Sequence, residues 1–485
     1  MLVFTENLRG SSRKEDMVSD PTFVLLSFEG PDHYSRAGGL GSRVTELSRA
    51  LAGMGFETHL FFIGAPDLPG YEVMEEGHLH LHRWCQWISA YYPAGVYDGE
   101  EDKLRDWEHS LPVWLEKELL EPKLARGGSV VVLAEEWQTV GTIVALHQVA
   151  LRRGWQDRVH LVWNANNTFS FHRIDWEGLR RAGTITTVSR YMKHRMWNLE
   201  VDARVIPNGI PEDWLQPVDR KRCASFSQLF RERVVLVKVA RWDPDKRWLM
   251  AVDAVAQLKR LGMKPLLLAR GGVEAHGSEV LARAQEQGLR VQEVQWEGRD
   301  AYVLHEALRS AIQADLIVLQ SSLSEEQSRV LFHVADAVLA NSGIEPFGLV
   351  GLETMAARGI ALVGSTGEDY ATPGYDAIAL QTNDPREIVH HVVHLQRNKH
   401  AATQLRQAAR RSAERYTWPS VIRRALLPAL RELGVHVTVG QEAPKAPVQR
   451  FAETLPPLLP TARAPMVTPP LLVKEVNPTP AMAVP

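Results

Sequence analysis

The chain has 485 residues, too long for one ordinary domain, and its 45% hydrophobic and 23% charged content is that of a folded protein with a sizeable core. A formal net charge of -3 argues against a partner held by a basic surface, so no nucleic acid is expected. Only Cys85 and Cys223 occur, which excludes a disulfide framework and offers no zinc spacing, so the expected setting is reducing and cytoplasmic.

Residues 1–20 are polar, lack the apolar core of a signal peptide, and read as a flexible lead-in. No apolar run reaches the ~18 residues needed to span a bilayer. Peripheral membrane contact stays open, although no strongly basic amphipathic helix stands out. Structure is expected to begin with the apolar run Phe23–Ser27. A glycine-containing turn follows, then a helix over Ser42–Met54, with Val44, Leu47 and Leu51 on one face and Gly55 as its stop. Thr58–Ile63 is the next strand, giving strand–turn–helix–strand, the unit of a parallel sheet. Further strands are expected at Val130–Leu133, Val159–Trp163, Thr184–Val188 and Arg204–Ile206.

The pattern then starts again. Val234–Val239 reads as a strand, Asp243–Leu261 as a helix with Asp243 as N-cap and Pro244 in the first turn, and Lys264–Leu268 as a strand. Leu316–Leu319, Ala337–Ala340 and Ala361–Val363 continue the series. The expectation is an α/β protein of two tandem doubly wound Rossmann-like domains, over 21–215 and 232–405, facing each other across a cleft. A helical segment over 406–435, marked by Trp418, is expected to cross back to the first domain. From 440 to 485 the chain holds eleven of its 28 prolines and no periodic pattern. It reads as a disordered tail whose TLPPLLP stretch suits a proline-recognising protein contact, with a solvated tail the plainer reading.

Three segments carry chemistry. Arg36-Ala37-Gly38-Gly39-Leu40-Gly41 lies between the first strand and helix, where glycines allow close backbone approach and a helix N-terminus favours an anion. Arg241-Trp242-Asp243-Pro244-Asp245-Lys246 follows the first strand of the second domain, and its two cations suit a diphosphate. The D-x-D within it also spells a metal–diphosphate motif, which helix capping by the aspartates makes the lesser reading. The third is Ile344–Glu353, with Glu345 and Glu353 eight positions apart. Across a helix start that separation is at least roughly 12 Å. It exceeds the about 5–9.5 Å of glycosidase carboxylate pairs and fits two acids gripping the ends of an elongated ligand.

These segments together resemble the GT-B-fold retaining glycosyltransferases of the group 1 type, related to glycogen and starch synthases. Arg36–Gly41 resembles the K-x-G-G-L loop, with Arg36 in the lysine's place. Residues 134–139 (AEEWQT) resemble H-D-W-x-T, and 187–192 (TVSRYM) and 205–211 (VIPNGIP) resemble the end of the first domain. Residues 240–248 (ARWDPDKRW) resemble the phosphate loop, and 345–353 (EPFGLVGLE) the E-x7-E signature. The likeness spans roughly residues 22–430.

The resemblance implies transfer of a hexosyl group from a UDP-, ADP- or GDP-sugar to a glycan or other hydroxyl acceptor, with retention. The nucleotide sugar is a co-substrate, and neither cofactor nor metal is implied. Arg241 and Lys246 would hold the diphosphate, Glu345 the donor sugar and Glu353 the ribose. The backbone at Phe347, Gly348 and Leu349 would meet sugar or phosphate, with Thr366 beside it, and Gly38 and Gly39 would approach from the other domain. Glu136, Asn164 and Asn166 fall on the acceptor side. There the sequence departs from the synthases: Asn164, Asn166 and Asn167 stand where they carry His-Asn, and Glu135-Glu136 replaces His-Asp. An amide hydrogen-bonds a sugar but is no base near neutral pH. A sugar-nucleotide 2-epimerase or a non-catalytic nucleotide-sugar scaffold are the alternatives on the same fold.

Three features stand outside this set. His78, His80 and His82 alternate and would share one face of a strand, where a metal is conceivable and a solvated face the plainer reading. His390, His391 and His394 fall on a helix surface. The aromatic segment Trp84–Trp107, with Trp87, Tyr91, Tyr92 and Tyr97, suits either an acceptor platform or packing under a long loop.

Overall fold

A computed structural model describes residues 20–438, so all but the last residue of the expected lead-in over 1–20, and the proline-rich tail from 440, lie outside the described residues. β1 (Thr22–Leu26) and β2 (Thr58–Ile63) are buried at every residue, as apolar strands covered on both faces must be. They join β3 (Tyr71–Met74), β4 (Leu79–Trp84), β5 (Val130–Glu135), β6 (Val159–Ala165), β7 (Thr184–Thr187) and β8 (Arg204–Val205). The order is β3-β4-β2-β1-β5-β6-β7-β8, parallel except for the β3–β4 pair. The second sheet is built from β9 (Val234–Val239), β10 (Pro265–Arg270), β11 (Val291–Val294), β12 (Leu316–Leu319), β13 (Ala337–Ala340), β14 (Ala361–Val363) and β15 (Ile378–Ala379). It runs β11-β12-β10-β9-β13-β14-β15, parallel throughout.

Each sheet reverses its order beside its first strand, between β1 and β5 in one and between β9 and β13 in the other. At such a switch the connections leave in opposite directions and open a crevice beyond the carboxyl ends of the strands. Two Rossmann-like domains are thus present, each with a crevice where the sequence placed its chemistry.

The end of the described chain packs on the first sheet. Trp418, Ile422, Leu426 and Leu430 share one buried cluster with Phe23, Val44, Leu47 and Leu133. The crossing is pinned by backbone: Ile210 N–H donates to Tyr416 O at 2.9 Å, and Trp418 N–H to Ile210 O at 3.0 Å. Among the described residues no helix is long and apolar enough to cross a membrane.

Two helices depart from expectation. The first starts at Gly39, not Ser42, because the Glu29 carboxylate accepts N–H groups at its start. The expected helix Asp243–Leu261 is broken. Pro244–Lys246 is one 3-10 turn, Arg247 takes a left-handed φ of 52°, and the α-helix runs Trp248–Arg260. Asp243 caps the short turn through Asp245 N–H, not the long helix. The break turns Trp248 inward, where its indole N–H donates to Arg241 O at 2.8 Å.

Candidate active site

The switch between β9 and β13 brings two distant loops together. Lys246, from the loop after β9, holds Glu345, from the loop after β13, at 2.7 Å. Ser342 Oγ donates to the same Glu345 oxygen at 2.9 Å, and Glu345 N–H donates to Thr366 Oγ1 at 2.9 Å. Asp245 Oδ1 accepts Ile344 N–H at 3.0 Å, while Gly343 N–H donates to Asp245 O at 2.7 Å. Both aspartates of the D-x-D are therefore committed to loop structure. Arg241 is exposed and has no ion pair or side-chain hydrogen bond within the described chain.

Gly348 sits at φ 78°, ψ 66°, a left-handed position before the helix Leu349–Ala356. A Cβ there would lie 3.1 Å from Glu345 and 3.2 Å from Glu368 and from Tyr370. The turn leaves the N–H groups of Phe347, Gly348 and Leu349 unengaged within the described chain, at the positive end of a helix. The Phe347 side chain itself is buried in the core.

Buried charge supports this edge. Lys238, inside β9, donates to Asn341 Oδ1 at 2.6 Å and Leu339 O at 3.1 Å, and burial lowers its pKa to about 7. Glu368 accepts Thr366 N–H at 3.0 Å, and burial raises its carboxyl to about 7. Glu353, half-buried on the helix, is raised to about 7 by desolvation and secondarily by Glu325. Burial raises the Glu325 carboxyl, and the charges of Asp213 and Glu46 add to the shift.

The first domain corrects one expectation. The Glu29 carboxylate, past the end of β1, accepts N–H groups of Ala37 at 3.1 Å, Gly38 at 2.9 Å and Gly41 at 3.0 Å. An internal anion thus holds the amide of Gly38 expected to meet the diphosphate. Gly39 stays open, since a Cβ there would meet nothing within 4 Å, and Arg36 is exposed beside it. Tyr97 donates to the other Glu29 oxygen at 2.8 Å, so the aromatic segment reaches the loop through this residue. Trp87 and Tyr91 are exposed, while Trp107 is buried in the core.

On the acceptor side Asn164 and Asn166 are turned inward. Both amides donate to Glu135 Oε2, at 2.8 and 2.7 Å, and Glu135 also pairs with buried Arg43 at 3.0 Å. Glu136 has φ 66° and accepts Asn166 N–H at 2.7 Å. Burial, with the charge of Glu135 adding, raises its carboxyl to about 8.

Sequence reasoning missed Glu29, Lys238 and Glu368. Glu29 had a faint signal, an acid between a strand and a glycine loop. Lys238 offered another, a cation inside an otherwise apolar strand.

Comparison with known proteins agrees with this architecture. The family model for Glycosyltransferase Family 4 matches residues 37–214, and that for Glycosyl transferases group 1 matches residues 220–412. The chain belongs to the GT-B group 1 glycosyltransferases, and its reaction is glycosyl transfer from a nucleotide sugar. Sucrose-phosphate synthase from Thermosynechococcus elongatus superposes with a TM-score of 0.59 at 17% identity, over 85% of this chain and 99% of that one. The catalytic domain of starch synthase IV from Arabidopsis thaliana, bound to ADP and acarbose, gives 0.60 at 15%, over 86% and 100%. A UDP-forming trehalose-phosphate synthase from Burkholderia xenovorans, with glucose-6-phosphate, gives 0.57 at 11%, over 85% and 100%. No curated protein matches the sequence significantly.

Proposed function

We propose that this enzyme is a retaining hexosyltransferase that works without a metal at its donor site. The Lys246–Glu345 pair at 2.7 Å, set beside exposed Arg241 and the free N–H groups of residues 347–349, carries the reading. The donor diphosphate lies against Arg241 and Lys246, whose charges oppose the negative charge that grows on the leaving group. With two cations and a helix N-terminus there, the phosphates are neutralised by protein alone. Glu345 meets the sugar, Glu353 accepts from the ribose, and Gly39 and Arg36 close from the first domain.

Of the acceptor-side residues Glu135, Glu136, Asn164 and Asn166, none offers a free base. Asn164 and Asn166 are amides, Glu135 is held by Arg43, and Glu136 keeps its proton near neutral pH. On this reading the proton of the attacking hydroxyl passes to the departing diphosphate. That requires attack on the face the diphosphate leaves from, which retains the anomeric configuration. Closure of the domains excludes the water that would hydrolyse the donor.

The ADP bound to starch synthase IV and the UDP-forming reaction of the trehalose-phosphate synthase support an ADP- or UDP-sugar donor; a GDP-sugar as the further donor, a glycan or other hydroxyl as acceptor and a cytoplasmic setting complete the proposal. The test is nucleoside-diphosphate release from these donors in EDTA, with and without oligosaccharide acceptors, alongside Arg241→Ala and Glu345→Ala. Acceptor-stimulated release from one donor, lost in both variants and yielding the donor's anomer by NMR, is expected. An inverted product, or release that requires added metal, overturns the reading.

A further inference from the structure

The alternating histidines belong to a cluster far from the cleft chemistry. His59 and His80 are register partners on parallel β2 and β4, near the amino ends of their strands, opposite the carboxyl-end crevice. Their rings stack with centroids 4.4 Å apart. Glu57, just before β2, lies 3.2 Å from His59 Nε2. One ligand atom each from Glu57, His59 and His80 can be chosen so that all lie within 4.8 Å of one another. Zinc at about 2.0–2.2 Å from each ligand sets neighbouring ligands roughly 3.4 Å apart, so small side-chain rotations close the set.

A second observation points the same way. A metal-bound imidazole is held by a partner on its other nitrogen. His59 Nδ1 lies 3.0 Å from His82 Nε2, leaving Nε2 toward Glu57. His80 Nδ1 lies 2.7 Å from Tyr71 Oη, leaving its Nε2 available. His82 is fixed in turn, buried and stacked on Phe61 at 4.1 Å. So His82, expected on a solvated face, backs a ligand, and His78 lies outside the strand.

We propose that Glu57, His59 and His80 bind one late first-row divalent ion, zinc by preference, with water completing the coordination. Two imidazoles and a carboxylate suit zinc better than magnesium or calcium, which prefer oxygen. The ion joins β2 to β4 and, through Tyr71, orders antiparallel β3 at the sheet edge. The Lys123 ammonium sits on Glu57 as its counter-charge, and binding of the ion displaces it.

The test uses the full chain, stripped with chelator and titrated with zinc against a chromophoric competitor. Cobalt absorption serves as a reporter of coordination. Binding of one equivalent is expected, weakened at least 100-fold in His80→Ala and in Glu57→Gln. Lys123→Met, which removes the competing cation, is expected to tighten binding about tenfold. Zinc is also expected to raise the melting temperature of the wild type but not of His80→Ala. His80 is half-buried and Glu57 lies before the strand, so circular dichroism checks that both variants fold. Absence of a tight equivalent in the wild type overturns the proposal. So does an equivalent that survives in both ligand variants, as binding at His390, His391 and His394 would. Unchanged affinity in Lys123→Met removes the ion from Glu57.

Discussion

At the scale of single residues, the site rests on charges that hold each other in place before a ligand arrives. Lys246 and Glu345 are both about four-fifths buried, and each fixes the other where the diphosphate and sugar must meet. Lys246→Ala is expected to lower kcat/KM by about 10²–10³, the usual loss when a preorganised stabilising group is removed, as steady-state kinetics will show. Glu136 makes a prediction in pH. Its carboxyl titrates near 8 in the folded chain, against 4.5 for the exposed group, so the folded state holds the extra proton between these values. Its contribution to stability is full below about 4.5 and is lost as pH rises through about 8. Glu136→Gln removes that loss. The melting temperature of the variant relative to wild type is expected to rise from pH 5 to pH 9.

Residues of this kind were legible in unequal degree. Lys246 and Glu345 stood out because each follows a readable strand and carries a charge that a crevice can use. Asp245 was visible but ambiguous: spacing alone does not say whether a carboxylate faces a metal or the amide of Ile344, ninety-nine residues away. Asn164 and Asn166 were placed at the right strand end, but their burial against Glu135 depends on Arg43 from another element.

At the scale of elements, loops do the positioning, and their geometry was the least legible part. Strand cores such as Val234–Val239 and Leu316–Leu319 have the limits read from their apolar runs. The helix starts shifted because tertiary partners set them. Glu29 replaces a local cap at Gly39, and the left-handed turn at Arg247 interrupts a segment whose periodicity reads straight through. Glu29→Ala leaves three amides without their acceptor. It is expected to cost about 2 kcal/mol in denaturant unfolding, within the range for hydrogen bonds to a charged group. It is also expected to raise the KM for donor more than it lowers kcat, because Gly39 then loses its fixed approach. Glu29→Gln, which keeps an acceptor, is expected to recover part of both.

At the scale of the whole molecule, the two domains are built alike but are not independent. The C-terminal helices close the first sheet, with Trp418 lying against Gly209 and its ring 5.5 Å from the Arg43 guanidinium. Trp418→Ala is expected to cost about 3–5 kcal/mol of stability, as for a buried aromatic truncated to a cavity. The loss should appear in chemical denaturation followed by first-domain probes such as Trp107 and Trp163. This crossing also sets a timetable for the chain as it leaves the ribosome. The first domain emerges first, but the face bearing Leu47 and Leu133 lacks part of its cover until residues 418–430 are made. The second domain, made later, has its own cluster around Trp248 and Leu267 complete earlier. The half synthesised first is thus the last to be finished, and through that interval its partly bare apolar face is what a nascent-chain chaperone would meet.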